Sequence, residues 1–262
     1  MSLNPRKMQV IAVVGVGPGI GEAVSRHFVA EGFVVALLAR TETKLKSIED
    51  AINRDYGKGS AKYYVTDVRV EQEVVSAFAA IKSELGPVNV MVYNAASRRI
   101  HPRSLLETTT EEFESFTKIN MFGAFWASKC VLPDMLAAGK GTIIFTGATG
   151  SLRGNGGLSS FSPGKFGLRA LCQTITREFQ ANGIHAAHLI VDGPVDTNII
   201  GGVKRRQWTR EDETAKLAEL DAYLMQPTDL AKIYWYLHTQ PRSTWTHELD
   251  VRSQMEGMFS KL

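Results

Sequence analysis

Seven residues near the N-terminus have the types and spacing of a phosphate-binding turn. Residues 15–21 read Gly-Val-Gly-Pro-Gly-Ile-Gly and directly follow the apolar run Val10–Val14. Glycines permit a tight turn and let the backbone approach a pyrophosphate, while the N–H groups of a helix beginning there point at the phosphates. Because this turn lies between a strand pattern and a helix pattern, it predicts a dinucleotide site.

A basic residue ends the second apolar run. Phe33–Leu38 is followed by Ala39 and then Arg40. An acidic residue at this place would bind the adenosine ribose hydroxyls and favour NAD, whereas a guanidinium forms charge-assisted bonds to a 2′-phosphate. Arg40 therefore predicts NADP(H) in preference to NAD(H). The alternative is that Arg40 is a solvated charge at the end of a strand.

The elements that must position these residues alternate along the chain. Short β-branched runs are separated by longer segments whose apolar residues recur at helical spacing. The strand runs are Val10–Val14, Phe33–Leu38, Lys62–Thr66, Val88–Tyr93, Thr142–Phe145, Ala186–Val191 and Thr246–Leu249. Uninterrupted apolar strands are typical of sheets buried on both faces, and repeated βα units give right-handed crossovers. The pattern predicts one α/β domain over residues 1–262, a Rossmann fold whose doubly wound parallel sheet has helices on both faces.

One long polar stretch interrupts this alternation. Residues 198–225 are rich in charge and lie between the sixth strand run and the last helical segment. In an open α/β sheet this place lies over the carboxyl ends of the strands, where ligands bind. We interpret the stretch as a substrate lid, with an ordinary surface excursion as the alternative.

The composition excludes several classes of protein. The 262 residues are 44% hydrophobic and 22% charged with a net charge of +3, which is ordinary for a globular enzyme and gives no reason to expect nucleic-acid binding. The triplet Lys204–Arg206 is interpreted as a solvated loop. No run approaches the length of a membrane span. The two cysteines and six histidines lack ligand spacing, so no metal site is expected.

Several further motifs resemble those of the short-chain dehydrogenase/reductase family. The glycine turn resembles the family motif TGxxxGIG, with Val14 in place of Thr. Four more segments match the family. Thr66-Asp67-Val68 resembles its adenine-contacting Asp-Val, and Asn94-Ala95-Ala96 resembles the end of its NNAG motif, with Tyr93 replacing the first Asn. Asn120 matches the family's helix Asn, and residues 193–197 resemble the segment that closes on the nicotinamide. The resemblance covers nearly the whole chain.

This resemblance implies a set of site residues. The cofactor-binding positions are Gly15, Gly17, Pro18, Gly19, Ile20, Arg40, Asp67, Val68, Asn94, Ala95, Lys165, Pro194, Val195 and Thr197. The catalytic positions that the chain retains are Asn120 and Lys165.

Two other catalytic positions depart from the family pattern. The family motif YxxxK reads Phe161-Ser162-Pro163-Gly164-Lys165, so Phe stands where the family has its Tyr proton donor. The family's catalytic Ser, three residues before a Gly, falls on Gly147 when counted back from Gly150. Phe has no exchangeable proton and Gly147 has no hydroxyl. Phe161 and Lys165 are four residues apart and share a helix face, so Phe161 should pack beside the nicotinamide site.

Two functions follow from these residues. The first is an NADP(H)-dependent oxidoreductase with a changed proton source. Its substrate would be a small or lipid-derived carbonyl, alcohol or enoyl compound, and acyl-CoA-like compounds belong to this class. The candidate sources are a water held by Asn120 and Lys165, Lys165 itself, or the Thr149 or Ser162 hydroxyl, while Thr146 should point elsewhere. The second is a catalytically impaired NADP(H)-binding protein that acts as a sensor or assembly partner.

The resemblance and one terminal motif bear on assembly and location. Members of the family usually form dimers or tetramers through helices that here begin near Thr110 and Ser160, so a homodimer or homotetramer is expected. Apolar residues within Met121–Trp126 belong either to that interface or to the core. Ser260-Lys261-Leu262 matches the peroxisomal import tripeptide. It predicts a peroxisomal location if the source is eukaryotic and a cytoplasmic one otherwise.

Overall fold

Seven parallel strands form one sheet in the order β3-β2-β1-β4-β5-β6-β7. This computed structural model describes residues 8–97, 102–197 and 222–255. The strand order reverses between β1 and β4, and the crevice at such a switch point is where α/β sheets bind ligands. The predicted single-domain Rossmann fold is confirmed.

The strands and helices begin and end close to their predicted positions. The strands are β1 (Gln9–Val14), β2 (Phe33–Ala39), β3 (Ala61–Val65), β4 (Val88–Tyr93), β5 (Gly141–Ala148), β6 (Ile184–Val191) and β7 (Glu248–Val251). The helices are α1 (Ile20–Ala30), α2 (Glu42–Tyr56), α3 (Glu71–Glu84), α4 (Thr110–Thr117), α5 (Gly123–Ala138), α6 (Ser162–Phe179) and α7 (Pro227–Thr239).

The core consists of two apolar layers, one on each face of the sheet. Alternate residues of β4 serve different layers: Met91 packs with α3, α5 and α6, whereas Val90 packs with α1, α2 and α7. Strands buried on both faces are the reason that the apolar runs are uninterrupted rather than alternating.

The last strand lies two residues beyond its predicted place. Thr246 belongs to the preceding turn, because its N–H donates to the Gln240 side chain (2.8 Å) and its hydroxyl accepts from the Gln240 amide (2.7 Å). The strand therefore runs over Glu248–Val251 rather than Thr246–Leu249. This shift places Glu248 beside β6, where it pairs with His188.

Two sequence-based interpretations fall largely outside the described residues. The proposed lid is described only from residue 222, where Met225 forms a bridge to Val195. Ser260-Lys261-Leu262 and the triplet Lys204–Arg206 lie wholly outside them. Among the described helices, none is long and apolar enough to cross a membrane.

Candidate active site

The glycine turn follows β1 and is shaped by close backbone contacts. Gly15 has a φ of +94°, and a Cβ there would lie 2.4 Å from the Ala95 nitrogen. Only glycine fits both conditions. The Gly15 carbonyl accepts from the Asn94 side chain (3.0 Å), which joins the turn to the end of β4. Two predicted residues, Asn94 and Ala95, therefore support the turn.

Helix α1 begins directly after this turn without a side-chain cap. Gly19 is its N-cap residue, with a φ of +144°, and Ile20 is its first residue. With no side-chain cap, the first N–H groups of α1 are free of a side-chain partner, the arrangement that suits a bound phosphate. A Cβ on Gly19 would lie 2.8 Å from Thr197 Cγ2. The structure thus brings Thr197 from the segment after β6 against the glycine turn.

The rest of that segment is held by the start of the described C-terminal part. The Met225 N–H donates to the Pro194 carbonyl (3.0 Å), and the Asp196 N–H donates to the Met225 carbonyl (2.9 Å). Val195 is buried between them. Pro194, Val195 and Thr197 consequently lie in one ordered turn at the same edge of the sheet as Gly19.

Arg40, Asp67 and Val68 lie at the ends of β2 and β3, but their environments differ. Arg40 is exposed just beyond β2, available to a ligand. Asp67 pairs with Arg69 (2.5 Å); burial raises the pKa of Asp67, but the Arg69 hydrogen bonds outweigh it and hold that pKa below its usual value. Val68 is buried against Gly123, so its side chain packs in the core.

Asn120 lies in an irregular turn between α4 and α5. Residues Lys118–Phe122 form a π-helical turn, a feature common at functional sites. The Tyr93 hydroxyl donates to the Ile119 carbonyl (2.6 Å) and fixes this turn from the end of β4. The Asn120 side chain is fully buried; its Nδ2 donates to the Phe116 carbonyl (3.0 Å), while its Oδ1 has no partner among the described residues.

Lys165 lies on the first turns of α6 and points into the crevice. It is 2% exposed, and its Nζ donates to the Thr146 carbonyl at the end of β5 (2.8 Å). Among the described residues no carboxylate forms an ion pair with it. Burial lowers the pKa of Lys165 to about 8. A Cβ on the preceding Gly164 would lie 3.0 Å from Asn120 Cβ, so the helix packs closely on Asn120.

Phe161 and the candidate proton sources surround this lysine. The Phe161 ring is buried with its centroid 5.8 Å from Lys165 Nζ. The Thr149 hydroxyl donates to Asp192, whereas the buried Ser162 hydroxyl has no partner among the described residues. Thr146 points to the opposite face and pairs with Tyr234 (2.6 Å), as its strand position predicts.

Comparisons with known proteins identify the family of this chain. The sequence pattern of the family described as short chain dehydrogenase matches residues 9–208. The chain belongs to the short-chain dehydrogenase family. A short-chain dehydrogenase/reductase of Armillaria gallica is 33% identical over 248 residues, which are 91% of this chain and 92% of the relative.

Two solved structures are similar over nearly the whole chain. A short-chain dehydrogenase from Rhodopseudomonas palustris has a TM-score of 0.76 and 33% identity, covering 95% of this chain and 99% of that one. An actinorhodin polyketide ketoreductase with NADPH has a TM-score of 0.80 and 26% identity, covering 94% and 96% of the two chains.

Gly147, the position to which the sequence count assigns the catalytic Ser, is closely packed. A Cβ on Gly147 would lie 2.5 Å from His188 Nε2 and 3.1 Å from Ser151 Oγ. The imidazole thus fills the space that a side chain at position 147 would need. His188 is 1% exposed, and its Nε2 has no hydrogen-bond partner among the described residues.

Sequence reasoning missed that His188 packs against Gly147, that Glu248 pairs with His188, and that Tyr93 holds the turn of Asn120. The signal for His188 was its strand position: Phe145 of β5 is in register with His188 of β6, so the His188 side chain shares a sheet face with Gly147. Glu248 could not be placed because the β7 register was two residues off. Tyr93 was noted only as a departure from NNAG, yet its hydroxyl holds the turn that carries Asn120.

Proposed function

We propose that this short-chain dehydrogenase is an NADP(H)-dependent oxidoreductase whose proton source is not a tyrosine at position 161. Its substrate would be a small or lipid-derived carbonyl, alcohol or enoyl compound. The observation that carries the proposal is the buried, unpaired Lys165 beside Asn120 at the end of β5. A buried charge without a carboxylate partner is costly to stability, so its presence favours a role in chemistry over a role in packing.

The residues at the switch point fit a dinucleotide. A side chain at Gly15 would collide with the Ala95 backbone and one at Gly19 with Thr197, so only glycine gives the turn its shape. The uncapped α1 N-terminus would bind the pyrophosphate, the exposed Arg40 the 2′-phosphate, and Lys165 the nicotinamide ribose. The bound cofactor supplies or accepts the hydride. The NADPH in the related ketoreductase structure supports the same preference for NADP(H).

The chain's own residues have distinct tasks in such a reaction. Lys165, held on the Thr146 carbonyl, provides a positive charge near the reacting oxygen, and with a pKa of about 8 it can also exchange a proton near neutral pH. The Asn120 Oδ1 is a buried acceptor without a partner among the described residues, close to the turn of α6 that carries Lys165. Phe161 replaces the usual donor with an apolar ring, which excludes water from one side of Lys165.

A pocket next to this site suits a partly apolar substrate. It has a volume of about 450 Å³ and is lined by the loop of residues 154–159 and the first residues of α6, with Leu158 and Phe166 as apolar walls and Ser159 and Ser162 as hydroxyl groups. The buried Ser162 hydroxyl is therefore near both Phe161 and a place where substrate can enter. This lining supports an uncharged or lipid-derived substrate rather than a highly charged one.

Stopped-flow oxidation of bound NADPH against a panel of ketones and enoyl-CoA esters tests this proposal. Turnover of at least one probe by the wild type, together with loss of turnover in Lys165→Met, supports it. Tight NADPH binding with no turnover of any probe would instead support the second function, an impaired NADP(H)-binding protein. The observation that favours this second function is that neither Gly147 nor Phe161 carries a hydroxyl.

We also propose that the chain assembles as a homodimer or homotetramer. Phe113 on α4, Phe122 and Phe125 around the start of α5, and Phe166 on α6 are all exposed aromatic side chains. Exposed apolar groups on adjacent helices are typical of protein interfaces. Light scattering after size-exclusion chromatography should give a mass of at least two chains, and Phe125→Glu should reduce it. A monomeric wild type would contradict the proposal.

A further inference from the structure

We infer that Ser162 determines substrate specificity by hydrogen bonding to an uncharged oxygen of a partly apolar molecule in the pocket beside α6. The inference rests on the proposed oxidoreductase function and names a substrate class for it. That class is a carbonyl or alcohol compound whose apolar chain carries a second, uncharged oxygen, as in an ester or an amide. The assignment depends on the state of one hydroxyl group and on the lining of one pocket.

The Ser162 hydroxyl is a buried polar group without a partner. Ser162 is 5% exposed, and its Oγ has no hydrogen-bond partner among the described residues. Other buried serines in helices of this chain are paired: Ser25 and Ser128 each donate to the carbonyl four residues earlier, at 2.7 Å. Buried polar groups in folded proteins are nearly always hydrogen-bonded, so an exception calls for a ligand or a water.

The start of α6 explains why this hydroxyl is left unpaired. The carbonyl four residues before Ser162 is that of Leu158, and it already accepts the N–H groups of Phe161 (3.1 Å) and of Ser162 (3.0 Å). A carbonyl oxygen has two lone pairs, so both are in use. The hydroxyl is therefore left without the bond that Ser25 and Ser128 form, and it can donate to a bound molecule.

The pocket that Ser162 lines has an otherwise neutral wall. Its volume is about 450 Å³, within the range of small-molecule sites, and none of the eight residues that line it is ionisable. Leu158, Pro163 and Phe166 supply apolar surface. Ser159 also lines the pocket, but its hydroxyl pairs with that of Thr108 (2.7 Å). Ser162 thus contributes a buried hydroxyl that is available to a ligand.

The chemistry of this wall determines which molecule it can hold. A hydroxyl donates readily to a carbonyl oxygen, and apolar surroundings strengthen such a bond. A carboxylate or a phosphate would lose its hydration here without gaining a cation, because the lining is neutral. A pocket with a buried hydrogen-bonding group also discriminates against analogues that leave this group unpaired. The lining therefore favours an uncharged oxygen on an apolar chain.

The position of Ser162 links the pocket to the end of α6 that carries Lys165. On α6, Ser162 comes directly after Phe161 and one helical turn before Lys165. A Cβ on Gly150 would lie 2.9 Å from the Phe161 ring and 3.4 Å from Ser162 Oγ, so the turn after β5 packs against both. Because no acid or base of the described chain hydrogen bonds to the hydroxyl, its role is substrate recognition and not proton transfer.

The test compares two kinds of probe in Ser162→Ala. The first are methyl keto esters whose ketone and ester groups are separated by one to four methylene groups, and the second are plain ketones of equal chain length. Ser162→Ala should lower the ratio of kcat/KM for the best keto ester to kcat/KM for its plain ketone by about 2- to 10-fold, the effect of one lost hydrogen bond. The loss should arise in KM for the keto ester.

Ser128→Ala is the matched control. Ser128 is a buried helical serine whose hydroxyl is already paired within α5, so this variant should leave the ratio unchanged. An unchanged ratio in Ser162→Ala would overturn the inference. Equal falls in kcat with both kinds of probe would also overturn it, because they would make Ser162 a proton donor rather than a recognition residue.

The melting temperature gives a readout without ligand. Ser162→Ala removes a buried hydroxyl that has no partner, so the variant should be at least as stable as the wild type. Ser159→Ala removes the partner of the Thr108 hydroxyl and should lower the melting temperature. A clear loss of stability in Ser162→Ala would show that the hydroxyl is bonded within the protein, and it would overturn the inference.

The failure of the proposed function has a different signature. If the wild type binds NADPH but turns over no probe, the oxidoreductase function fails, and probe binding still decides the inference. Isothermal titration of NADPH-loaded protein should show tighter binding of a keto ester than of its plain ketone, and Ser162→Ala should remove this difference. Equal affinities in the wild type, or a difference that persists in Ser162→Ala, would overturn it.

Discussion

The ends of β1 and β2 and the ends of β5 and β6 form two halves of one crevice, and they keep the family's residues to very different degrees. In the first half, Gly15 contacts Asn94 directly, and Gly19 lies against Thr197 from the segment after β6. In the second half Lys165 lies close to Asn120, while Gly147 and Phe161 stand where the sequence motifs predict Ser and Tyr.

The difference reflects what each half must do. The first half uses the backbone, and a phosphate cradle tolerates little change because a Cβ in the wrong place collides with main-chain atoms. The second half uses side-chain functional groups, and more than one group can supply a proton at one place. The backbone shape therefore restricts which residues a phosphate-binding turn can have, whereas different side chains can serve as the proton donor or acceptor.

Lys165→Met should show the largest effect, because Lys165 on α6 is the buried ionisable residue that reaches the Thr146 carbonyl of β5 in the second half. We expect kcat/KM for the best probe to fall by about 10²- to 10⁴-fold. Steady-state oxidation of NADPH measures this. Lys232→Met, an exposed lysine on α7 paired only with Asp229 in the described structure, is the matched control and should leave kcat/KM unchanged. Activity within threefold of wild type would show that the second half does not depend on this charge.

The stability of Lys165→Met as a function of pH shows whether Lys165 is retained for catalysis or for packing. The folded pKa of Lys165 is about 8, below its ordinary value of 10.5, so its buried charge destabilises the fold below about pH 8. That penalty is relieved as the pH rises from about 8 to 10.5. Lys165→Met should therefore be more stable than wild type at pH 7 in chemical denaturation, and the gain should shrink toward pH 10.

Gly15→Ala should be the largest change in the first half. The positive φ costs about 1–3 kcal/mol for a non-glycine residue, and the Cβ adds a collision 2.4 Å from the Ala95 nitrogen. Gly57→Ala is the matched control, since Gly57 has a φ of +107° with nothing within 4 Å of its Cβ position. We expect NADPH binding to be lost in Gly15→Ala and kept in Gly57→Ala, measured by nucleotide fluorescence. Equal losses would mean that strain alone, and not the cradle, governs binding.

The sequence predicted the first half well because its signals are local. A glycine turn between a strand and a helix determines its own shape, and Gly15, Gly19 and Ile20 all lie where the pattern placed them. The fold was predicted from the uninterrupted apolar strands, because runs of apolar residues are visible directly in the sequence. The alternation of side chains along β6 also accounts for the opposite orientations of His185, which stacks on Trp245, and His188, which pairs with Glu248.

The second half was harder to predict because its contacts join distant segments. Whether His188 meets Gly147 depends on the register of β6 against β5, and whether Glu248 meets His188 depends on the start of β7. That start is set by the pairing of Gln240 with Thr246, which no local pattern records. The π-helical turn at Asn120 likewise depends on the hydroxyl of Tyr93, 26 positions away in the chain.

Arg40→Ala should have an intermediate effect confined to the first half. A charge-assisted bond to a phosphate contributes about 1.5–3 kcal/mol, so NADPH affinity should fall by roughly 10- to 100-fold while NADH affinity stays the same. Isothermal titration with both nucleotides measures the two values. Arg54→Ala, an exposed arginine of α2, should change neither. A parallel loss of NADH affinity would contradict a role in 2′-phosphate binding.

Phe161→Tyr should show the smallest effect, although it restores the residue that the family motif contains. The new hydroxyl would stand near Lys165, but Gly147 still offers no partner hydroxyl, and the His188 ring occupies the space where one would be. We expect ketone reduction to rise by less than about tenfold, against the 10²- to 10⁴-fold that a working general acid contributes. The triple variant Phe161→Tyr, Gly147→Ser, His188→Val rebuilds the family arrangement and should exceed the single variant. If Phe161→Tyr alone gave a full 10²-fold gain, the two halves would differ by one missing hydroxyl rather than by a replaced proton path.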